Sequence, residues 1–503
     1  MDSQYQQYDL YTILGVSPSA SADDIKTAYR QAARRFHPDV NGHEGASLQF
    51  KDINLAYEVL SDEIQRSTYH RVLTSRAATK RPSFAARCIP SRRILPVIKE
   101  SQVMYLLLEI VARSPGDQAV NPNEPRKAPL NIALVLDHSS SMRGARLEKV
   151  KVASHQILSQ LGHDDRLCVV AFSDRADVLV KSEPVTDPEG IKSRVNTIAA
   201  GGGTEIFQGL SAAYQEVKRY FNRKCVNHVI LITDGRTYGD EQLCLELADD
   251  AKKVGVSISA MGIGDEWNDV FLDDLTAKTG GGATYVNSPG AVVNFLNDRV
   301  RTLSEAFAER LRLTVAPDSD VRLESGFRLS PSAQPLEVKS QPINLGALQS
   351  TRPTRVLLQF QMPPDMKPGF RSMVRLDITG DLIGEAERYE FKAIVDQTTE
   401  VSTKPPPEEP PKTIIDALGK LALYRMQQKA EKAINDGQVQ EATRRLENLA
   451  TRLLQAGQED LAHMAMEEAR RVRQTSKLSE EGRKTLKFGT RSLMLPPPDD
   501  DKE

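Results

Sequence analysis

The sequence predicts a multidomain protein with an all-α N-terminal domain, a doubly wound α/β domain, an antiparallel β-sandwich and a C-terminal helical hairpin. The chain has 503 residues, which is more than a single hydrophobic core accommodates. Apolar residues recur at helical spacing near both ends, and strand-like and helix-like segments alternate between residues 129 and 308. Beyond about residue 310, apolar and polar residues alternate with period two, which is typical of half-buried strands. We therefore expect several cores.

The N-terminal domain is organised around the tripeptide His37-Pro38-Asp39. Segments 24–36 and 46–60, on either side of it, carry apolar residues at helical spacing. Pro38 has no backbone N–H and disfavours the α conformation in the residue before it, so a helix cannot pass through this position. The pattern predicts two antiparallel helices joined by a short loop.

Three stretches around this loop, YDLYTILGV, IKTAYRQAARRFHPD and FKDINLAYEVLSD, resemble the J-domain family over residues 6 to about 71. The resemblance implies docking to a DnaK-type chaperone and stimulation of its ATPase. It assigns the trigger to His37, Pro38 and Asp39, and electrostatic docking to Lys26, Arg30, Arg34 and Arg35. Two positions depart from the family pattern: Val40 stands where lysine is frequent, and Glu63 where proline is frequent. Taken alone, the basic residues are equally compatible with an ordinary solvated helix face.

Composition limits the classes of partner. The net charge of −2 provides no general attraction to nucleic acid or anionic membrane. The four cysteines contain no C-x-x-C pair, so neither a zinc site nor a disulfide framework is indicated. The first residues lack the basic and apolar regions of a secretory signal, and the most apolar segment, 103–111, is too short to span a bilayer. We expect a cytoplasmic protein with no membrane or nucleic-acid partner.

The middle of the chain predicts a mostly parallel sheet covered by helices. Strands are predicted at 130–136, 166–173, 227–233, 256–262 and 283–286. Helices are predicted at 146–161, 188–199, 205–221, 240–254, 269–279 and 290–308.

Polar residues follow two of these strands at the edge where ligands bind in open α/β sheets. Asp137 directly follows the strand at 130–136, and Asp234 directly follows the strand at 227–233. Hydroxyls come from Ser139, Ser141 and, after a run of three glycines, Thr204. An all-oxygen set of this kind suits a hard divalent cation, and Mg²⁺ fits best. The alternative is that these residues only cap helices.

This arrangement resembles the metal-ion-dependent adhesion site of von Willebrand factor A domains, and the run GIGDEWNDVFLDDLTAKTGG also resembles that family. The resemblance implies that Ser139, Ser141 and Thr204 meet the metal directly, that Asp137 and Asp234 act directly or through water, and that an acidic side chain of a protein partner takes the open position. Ser140 stands where the family usually has glycine, which would be strained if that position required a positive φ. His138 is interpreted as a loop residue.

The predicted boundaries complete the organisation. They are 1–72 for the J-domain, 73–101 for a basic linker, 102–128 for a β segment, 129–308 for the von Willebrand factor A domain, 309–396 for the sandwich, 397–412 for a Pro-rich linker, 413–490 for a helical region and 491–503 for an acidic disordered tail. The β segment either completes the sandwich or stands apart from it. The C-terminal helices resemble a tetratricopeptide pair weakly, and a plain helical hairpin is the equal alternative.

These features predict a non-catalytic co-chaperone or adaptor that links a DnaK-type chaperone to a specific protein partner. The zinc-ribbon and Gly/Phe-rich segments of general J-domain chaperones are absent from the sequence after residue 70. The alternative is a metal-dependent scaffold in which the J-domain is secondary or inactive. A hydrolase is disfavoured because the sequence places no nucleophile or general base beside the metal.

Overall fold

The computed structural model describes residues 9–77, 83–113, 128–237, 239–383 and 388–495. These residues form two compact units. The first contains the N-terminal helices and the β-sandwich, and the second contains the α/β domain and the C-terminal helices.

The helices are α1 Leu10–Leu14, α2 Ala22–Phe36, α3 Glu44–Ser61, α4 Glu63–Ala77, α5 Ala145–Leu158, α6 Pro188–Asn196, α7 Ile206–Arg219, α8 Glu241–Val254, α9 Asp269–Thr279, α10 Pro289–Ser304, α11 Lys412–Asn435, α12 Val439–Gln455, α13 Glu459–Thr475 and α14 Glu480–Ser492. The strands are β1 Ser83–Pro90, β2 Ile94–Pro96, β3 Gln102–Arg113, β4 Leu130–Asp137, β5 Arg166–Phe172, β6 Ala176–Pro184, β7 Val226–Thr233, β8 Ser257–Ile263, β9 Ala283–Val286, β10 Ala306–Pro317, β11 Arg322–Ser330, β12 Gln334–Leu336, β13 Ile343–Gln349, β14 Thr354–Met362, β15 Gly369–Ile383 and β16 Arg388–Ser402.

The all-α N-terminal domain is confirmed. Helix α2 begins with a capping box in which Ser21 and Asp24 exchange side-chain and backbone hydrogen bonds. It ends at Phe36, and the next residue, His37, has a ψ of 133°, the extended conformation expected before proline. Helices α2 and α3 pack through stacked rings of Tyr29 and Tyr57, with centroids 4.0 Å apart. The loop between them carries the predicted tripeptide.

The sandwich contains two five-stranded sheets, with strand orders β1-β3-β14-β11-β12 and β13-β10-β15-β16-β2. Strand β3 pairs antiparallel with β14, so the segment after residue 102 belongs to the sandwich. In sequence, the α/β domain is therefore an insertion between β3 and β10. Strand β16 continues to Ser402, beyond the predicted limit of 396.

The prediction of a basic linker at 73–101 is wrong for its described part. Strand β1 pairs with β3 along its whole length, from Ser83 opposite Arg113 to Pro90 opposite Leu106, and β2 pairs with β16. Phe84 is buried in the sandwich core, whereas Arg87 turns to Glu109 of β3. The density of basic residues masked a period-two pattern that pairing with distant strands stabilises.

The α/β domain is confirmed as a sheet covered by helices, with strand order β6-β5-β4-β7-β8-β9. Strands β4 and β7 are buried at every residue and pair in parallel, so their carboxyl ends lie side by side. The edge strand β6, which pairs antiparallel with β5, was not predicted. The last helix was predicted to extend to residue 308, but β10 begins at Ala306.

The C-terminal helical region is confirmed, and its described part contains four helices rather than a single hairpin. The last helix, α14, packs on the α/β domain through buried ion pairs. Arg483 forms two hydrogen bonds with the Asp269 carboxylate, at 2.6 and 3.1 Å, and Arg491 forms two with Asp273, both at 2.8 Å. Lys487 lies between the two carboxylates, 2.5 Å from Asp269 and 2.8 Å from Asp273. Basic residues four apart on α14 thus match acidic residues four apart on α9.

These ion pairs make a pH-dependent contribution to stability. Burial alone would raise the pKa of Asp269, but hydrogen bonds and charges from Arg483 and Lys487 hold that pKa well below its usual value. A carboxyl with a depressed folded-state pKa stabilises the fold above its unfolded pKa of about 4, and that stabilisation is lost as the pH falls through the folded value. We expect the difference in unfolding free energy between the wild type and Asp269→Asn to be constant from about pH 5 to pH 8 and to shrink below about pH 4. Denaturant titrations across this range measure it, and a difference that does not change down to about pH 3 would contradict the assignment.

Candidate chaperone-docking and metal sites

The loop at His37-Pro38-Asp39 presents its side chains to solvent. The His37 ring packs edge-on against Phe50 of α3, with centroids 5.0 Å apart, and its Nδ1 accepts a hydrogen bond from the Asp39 backbone N–H at 3.2 Å. The Asp39 side chain is 87% exposed. The loop is thus held from within while its acidic tip remains accessible.

The basic residues of α2 separate into two groups. Lys26, Arg30 and Arg34 are exposed and recur every four residues, so they lie along one face of the helix. Arg35 points elsewhere: its Nε lies 2.5 Å from Asp318, its Nη1 lies 3.3 Å from Asp396, and only 21% of the side chain is exposed. Arg35, which is also predicted to take part in chaperone docking, is thus already held by carboxylates of the sandwich in this arrangement.

The predicted metal residues do converge at the carboxyl ends of β4 and β7. The carboxylates of Asp137 and Asp234 are fully buried. Asp137 accepts hydrogen bonds from the Ser139 backbone N–H at 2.8 Å and from the Thr233 hydroxyl at 2.6 Å. Burial raises the pKa of Asp137; these hydrogen bonds favour its charged form, and the nearby charge of Asp234 raises the pKa further. Two buried carboxylates at one sheet edge favour a bound cation.

The predicted hydroxyls join this pair. The Ser141 hydroxyl donates to Asp234 at 2.6 Å and lies 3.0 Å from the Ser139 hydroxyl. Thr204 is buried, and a Cβ atom added at Gly235 would lie 2.8 Å from its hydroxyl oxygen, so Thr204 packs directly against the residue after Asp234. All five predicted residues therefore belong to one cluster.

The loop after β4 is unstrained at the position where the sequence departs from the family pattern. Ser140 begins a short 3₁₀ turn, and its N–H and hydroxyl both donate to the Gly202 carbonyl at 3.0 Å. Positive φ occurs among the described non-glycine residues only at Arg310, Asp365 and Ser476. The anticipated cost of serine at this position does not arise. His138 Nδ1 lies 2.9 Å from the Ala199 carbonyl oxygen, at the rim of the loop.

Two residues of the site were not predicted. Thr233 could have been found, because it ends β7 directly before Asp234. Arg146 could not: its Nη1 donates to Asp234 Oδ2 at 2.7 Å, yet it lies on α5, 88 residues from that carboxylate. Its guanidinium supplies the positive charge that balances Asp234.

The donor set fits a divalent cation. Within the described residues, no three His, Cys, Asp or Glu side chains form a metal-binding group. An ion at this sheet edge would therefore need hydroxyl oxygens beside the two carboxylates, and Ser139, Ser141 and Thr204 are among the hydroxyls that the cluster offers. Neutral oxygen ligands leave an ion only partly neutralised, so it can accept a further anionic ligand.

Comparisons with known proteins agree with this architecture. The model of the DnaJ domain matches residues 9–70, that of the von Willebrand factor type A domain matches residues 131–298, and that of the Sll0103-like C-terminal alpha-helical domain matches residues 412–496. The chaperone protein DnaJ of Hydrogenobacter thermophilus is 54% identical over 67 residues, which make up 13% of this chain and 19% of that chaperone. A solved structure, a von Willebrand factor type A protein from Catenulispora acidiphila, matches with a TM-score of 0.66 at 15% identity, over 82% of this chain and 97% of that one. At this identity the likeness shows the fold alone.

A J-domain and a von Willebrand factor A domain in one chain define a class of proteins built from binding and regulatory domains. The Synechocystis protein named "uncharacterized protein sll0103" is 30% identical over 380 residues, which cover 74% of this chain and 90% of that protein. The chain belongs to the sll0103 family. None of the helices in the described residues is both long and apolar enough to cross a membrane.

Proposed function

We propose that this protein is a cytoplasmic co-chaperone adaptor. Its J-domain docks a DnaK-type chaperone and stimulates the ATPase of that chaperone, and its von Willebrand factor A domain binds a specific protein partner through a metal-ion-dependent adhesion site. The observation that carries the proposal is the exposed tip of His37-Pro38-Asp39, beside an exposed row of basic side chains on the same helix. J-domain homology supports the choice of partner.

The basic row gives the docking step its physical basis. Lys26, Arg30 and Arg34 present three positive charges on one helix face, and complementary charges steer association and set the orientation of the complex. We therefore expect docking to weaken as salt rises. The chain itself performs no catalysis in this proposal.

The adhesion site provides the second contact. We propose that Ser139, Ser141 and Thr204 hold Mg²⁺ or another divalent ion directly, and that Asp137 and Asp234 hold it directly or through water. Such an ion supplies a Lewis-acidic position that an acidic side chain of a partner can occupy. Thr233 and the Ser139 N–H keep Asp137 oriented for this role.

Calorimetric titration with Mg²⁺ tests the metal site. We expect Thr204→Ala and Asp137→Ala to weaken binding by about tenfold or more, because each removes a ligand or its orienting partner. Asp250→Asn is the matched control, since this carboxylate lies on the exposed face of α8 and pairs with Lys253. Equal Mg²⁺ affinity in all four proteins would contradict the site.

Removing Arg146 should strengthen metal binding. Its guanidinium occupies one oxygen of Asp234, so an incoming cation must share or displace it. A charge-assisted hydrogen bond contributes about 1.5 kcal/mol, so we expect Arg146→Ala to raise the Mg²⁺ affinity by about tenfold. Arg143→Ala is the charge-matched control, because Arg143 lies exposed in the loop directly before α5. Equal effects of the two variants would show that only the general charge matters.

A pull-down with and without Mg²⁺ separates the adaptor from the alternative scaffold. In an adaptor, Asp39→Asn loses the chaperone and keeps the Mg²⁺-dependent partner, whereas Asp137→Ala does the reverse. Mg²⁺-dependent capture of a partner without recovery of a DnaK-type chaperone by the wild type would favour the scaffold.

A further inference from the structure

The J-domain is fixed to the β-sandwich by a polar interface, which we call the J–sandwich interface. Besides the contacts of Arg35, the Asn41 side chain donates to the Pro317 carbonyl at 2.9 Å, and the Gln49 side chain donates to Asp377 at 2.9 Å. Further contacts link Lys392 to Asp52 at 2.5 Å, and Arg375 to the Ile13 carbonyl at 2.9 Å. Its apolar share is small, since the sandwich adds only Ala316 and the partly buried Ile394 to the J-domain core. Interfaces of this composition are typical of domains that separate.

The J–sandwich interface borders the trigger loop on both sides. Arg35 precedes His37-Pro38-Asp39 by two residues, and Asn41 follows it by two. Arg35 pairs with Asp318, directly after β10, and Asn41 donates to the carbonyl of Pro317, the last residue of β10. A large partner that binds the tripeptide must therefore contact the sandwich or displace it. Arg35, which the J-domain resemblance assigns to electrostatic docking, is already bound to Asp318 and Asp396.

Separation would leave no charge of the sandwich buried alone. Lys392 keeps Asp377 as a partner at 2.6 Å, and Arg375 keeps Asp396 at 2.7 Å. On the J-domain side, the freed groups would be hydrated. A buried ion pair resists disruption mainly because one partner is left uncompensated, and here that cost is avoided.

The closed interface also leaves polar atoms unsatisfied. Among the described residues, Arg35 Nη2, Gln49 Oε1 and Asp377 Oδ1 are buried without a hydrogen-bond partner. Such atoms cost free energy until water reaches them. Opening the interface would hydrate them, which lowers the net cost of separation.

We propose that the β-sandwich is an internal competitor of the chaperone: in the closed arrangement, Asp318 and Asp396 hold the docking residue Arg35, and release of the J-domain from the sandwich strengthens chaperone docking. This inference rests on the docking function proposed above. The occupant of the acidic pair is the J-domain itself, and the incoming chaperone displaces the pair by offering carboxylates of its own.

Two variants open the interface without touching the docking residues. Asp318→Asn removes the closest carboxylate from Arg35, and its control is Asp320→Asn, which removes a carboxylate that pairs with Arg371 inside the sandwich. Gly45→Ala wedges the interface, because a Cβ atom there would lie 2.0 Å from the Val315 carbonyl oxygen. Alanine favours the helix more than glycine does, so the J-domain itself remains folded. The control for this variant is Gly42→Ala, where an added Cβ meets nothing within 4 Å.

The test measures stimulation of a DnaK-type ATPase by the full-length chain, together with hydrogen exchange in α2 and α3. We expect Asp318→Asn to lower the concentration needed for half-maximal stimulation by about threefold, Gly45→Ala to lower it at least as much, and both to speed exchange at the interface. Both controls should match the wild type. Unchanged or weaker stimulation by both opened variants, with faster exchange, would overturn the inference and make the sandwich neutral or a part of the docking surface.

A further variant distinguishes failure of the competitor inference from failure of the proposed docking function. Adding Asp39→Asn to each opened protein should abolish stimulation. If Asp39→Asn abolishes it while the opened variants equal their controls, only the inference fails. If stimulation persists with Asp39→Asn, the docking function itself fails.

Discussion

Asp39→Asn is expected to abolish stimulation of a DnaK-type ATPase while leaving the J-domain folded. The Asp39 side chain is 87% exposed and lies 3.6 Å from His37 Nδ1, so neutralising it should change the stability of the domain very little. Removing one charge from a desolvated contact with a partner costs about 2 kcal/mol or more, which corresponds to about a thirtyfold loss of affinity. A steady-state ATPase assay at a fixed chaperone concentration measures the loss.

Asp23→Asn provides the charge-matched control for this experiment. Asp23 lies exposed in the first turn of α2, in the same domain but away from the trigger loop. His37→Gln should reproduce the loss, because the ring that accepts the Asp39 N–H and packs on Phe50 is removed. Full stimulation by both Asp39→Asn and His37→Gln would rule out the adaptor and leave the metal-dependent scaffold.

Asp269→Ala is expected to produce the largest loss of stability. Asp269 is 2% exposed and pairs with Arg483 and Lys487 of α14. The substitution takes the nearest carboxylate from both cations, and removing one partner of a buried ion pair costs about 3–5 kcal/mol. The loss should fall on the packing of α14 against the α/β domain.

The chain carries its own probe for this packing. Trp267 is the single tryptophan, and its ring lies 5.7 Å from Phe488 and 4.6 Å from the Lys484 ammonium, both on α14. Its fluorescence during denaturant unfolding therefore reports on α14. Asp250→Asn, in an exposed pair, should unfold as the wild type does.

A double variant distinguishes a stranded charge from general damage. Adding Lys487→Met to Asp269→Ala removes one of the two cations that lose their nearest carboxylate, so part of the stability should return. If the loss of unfolding free energy in the double variant equals the sum of the losses in the two single variants, the ionic group does not act as a unit.

Local patterns predicted much of this molecule. Proline chemistry placed the loop at His37-Pro38-Asp39, and helical spacing placed α2 and α3 around it. The alternation of apolar strands and helices predicted the parallel sheet, and the position of Asp137 and Asp234 after β4 and β7 predicted that they would meet. Each of these depends on neighbours within a few residues, or on the rule that parallel strands end at one edge.

The same reasoning failed for segments and side chains that are stabilised by contacts with residues far away in the sequence. Strand β1 looked like a linker because its stability comes from pairing with β3 and from the sandwich core. The edge strand β6 was missed between β5 and α6. The ion pairs between α14 and α9 could not be predicted from their shared four-residue spacing. The contact between Arg146 and Asp234 could not be predicted either, because 88 residues separate them in the sequence.

The sequence by itself thus determined the class of each domain, the position of the His37-Pro38-Asp39 loop and the meeting of oxygen donors at the sheet edge, because local backbone preferences and periodicity encode them. Only the tertiary structure decided which charges remain free. It left Lys26, Arg30 and Arg34 exposed, bound Arg35 to the sandwich, and placed Arg146 against Asp234. The physical reason is that an ion pair depends on the separation of two charges in space, and burial that brings distant segments together sets that separation.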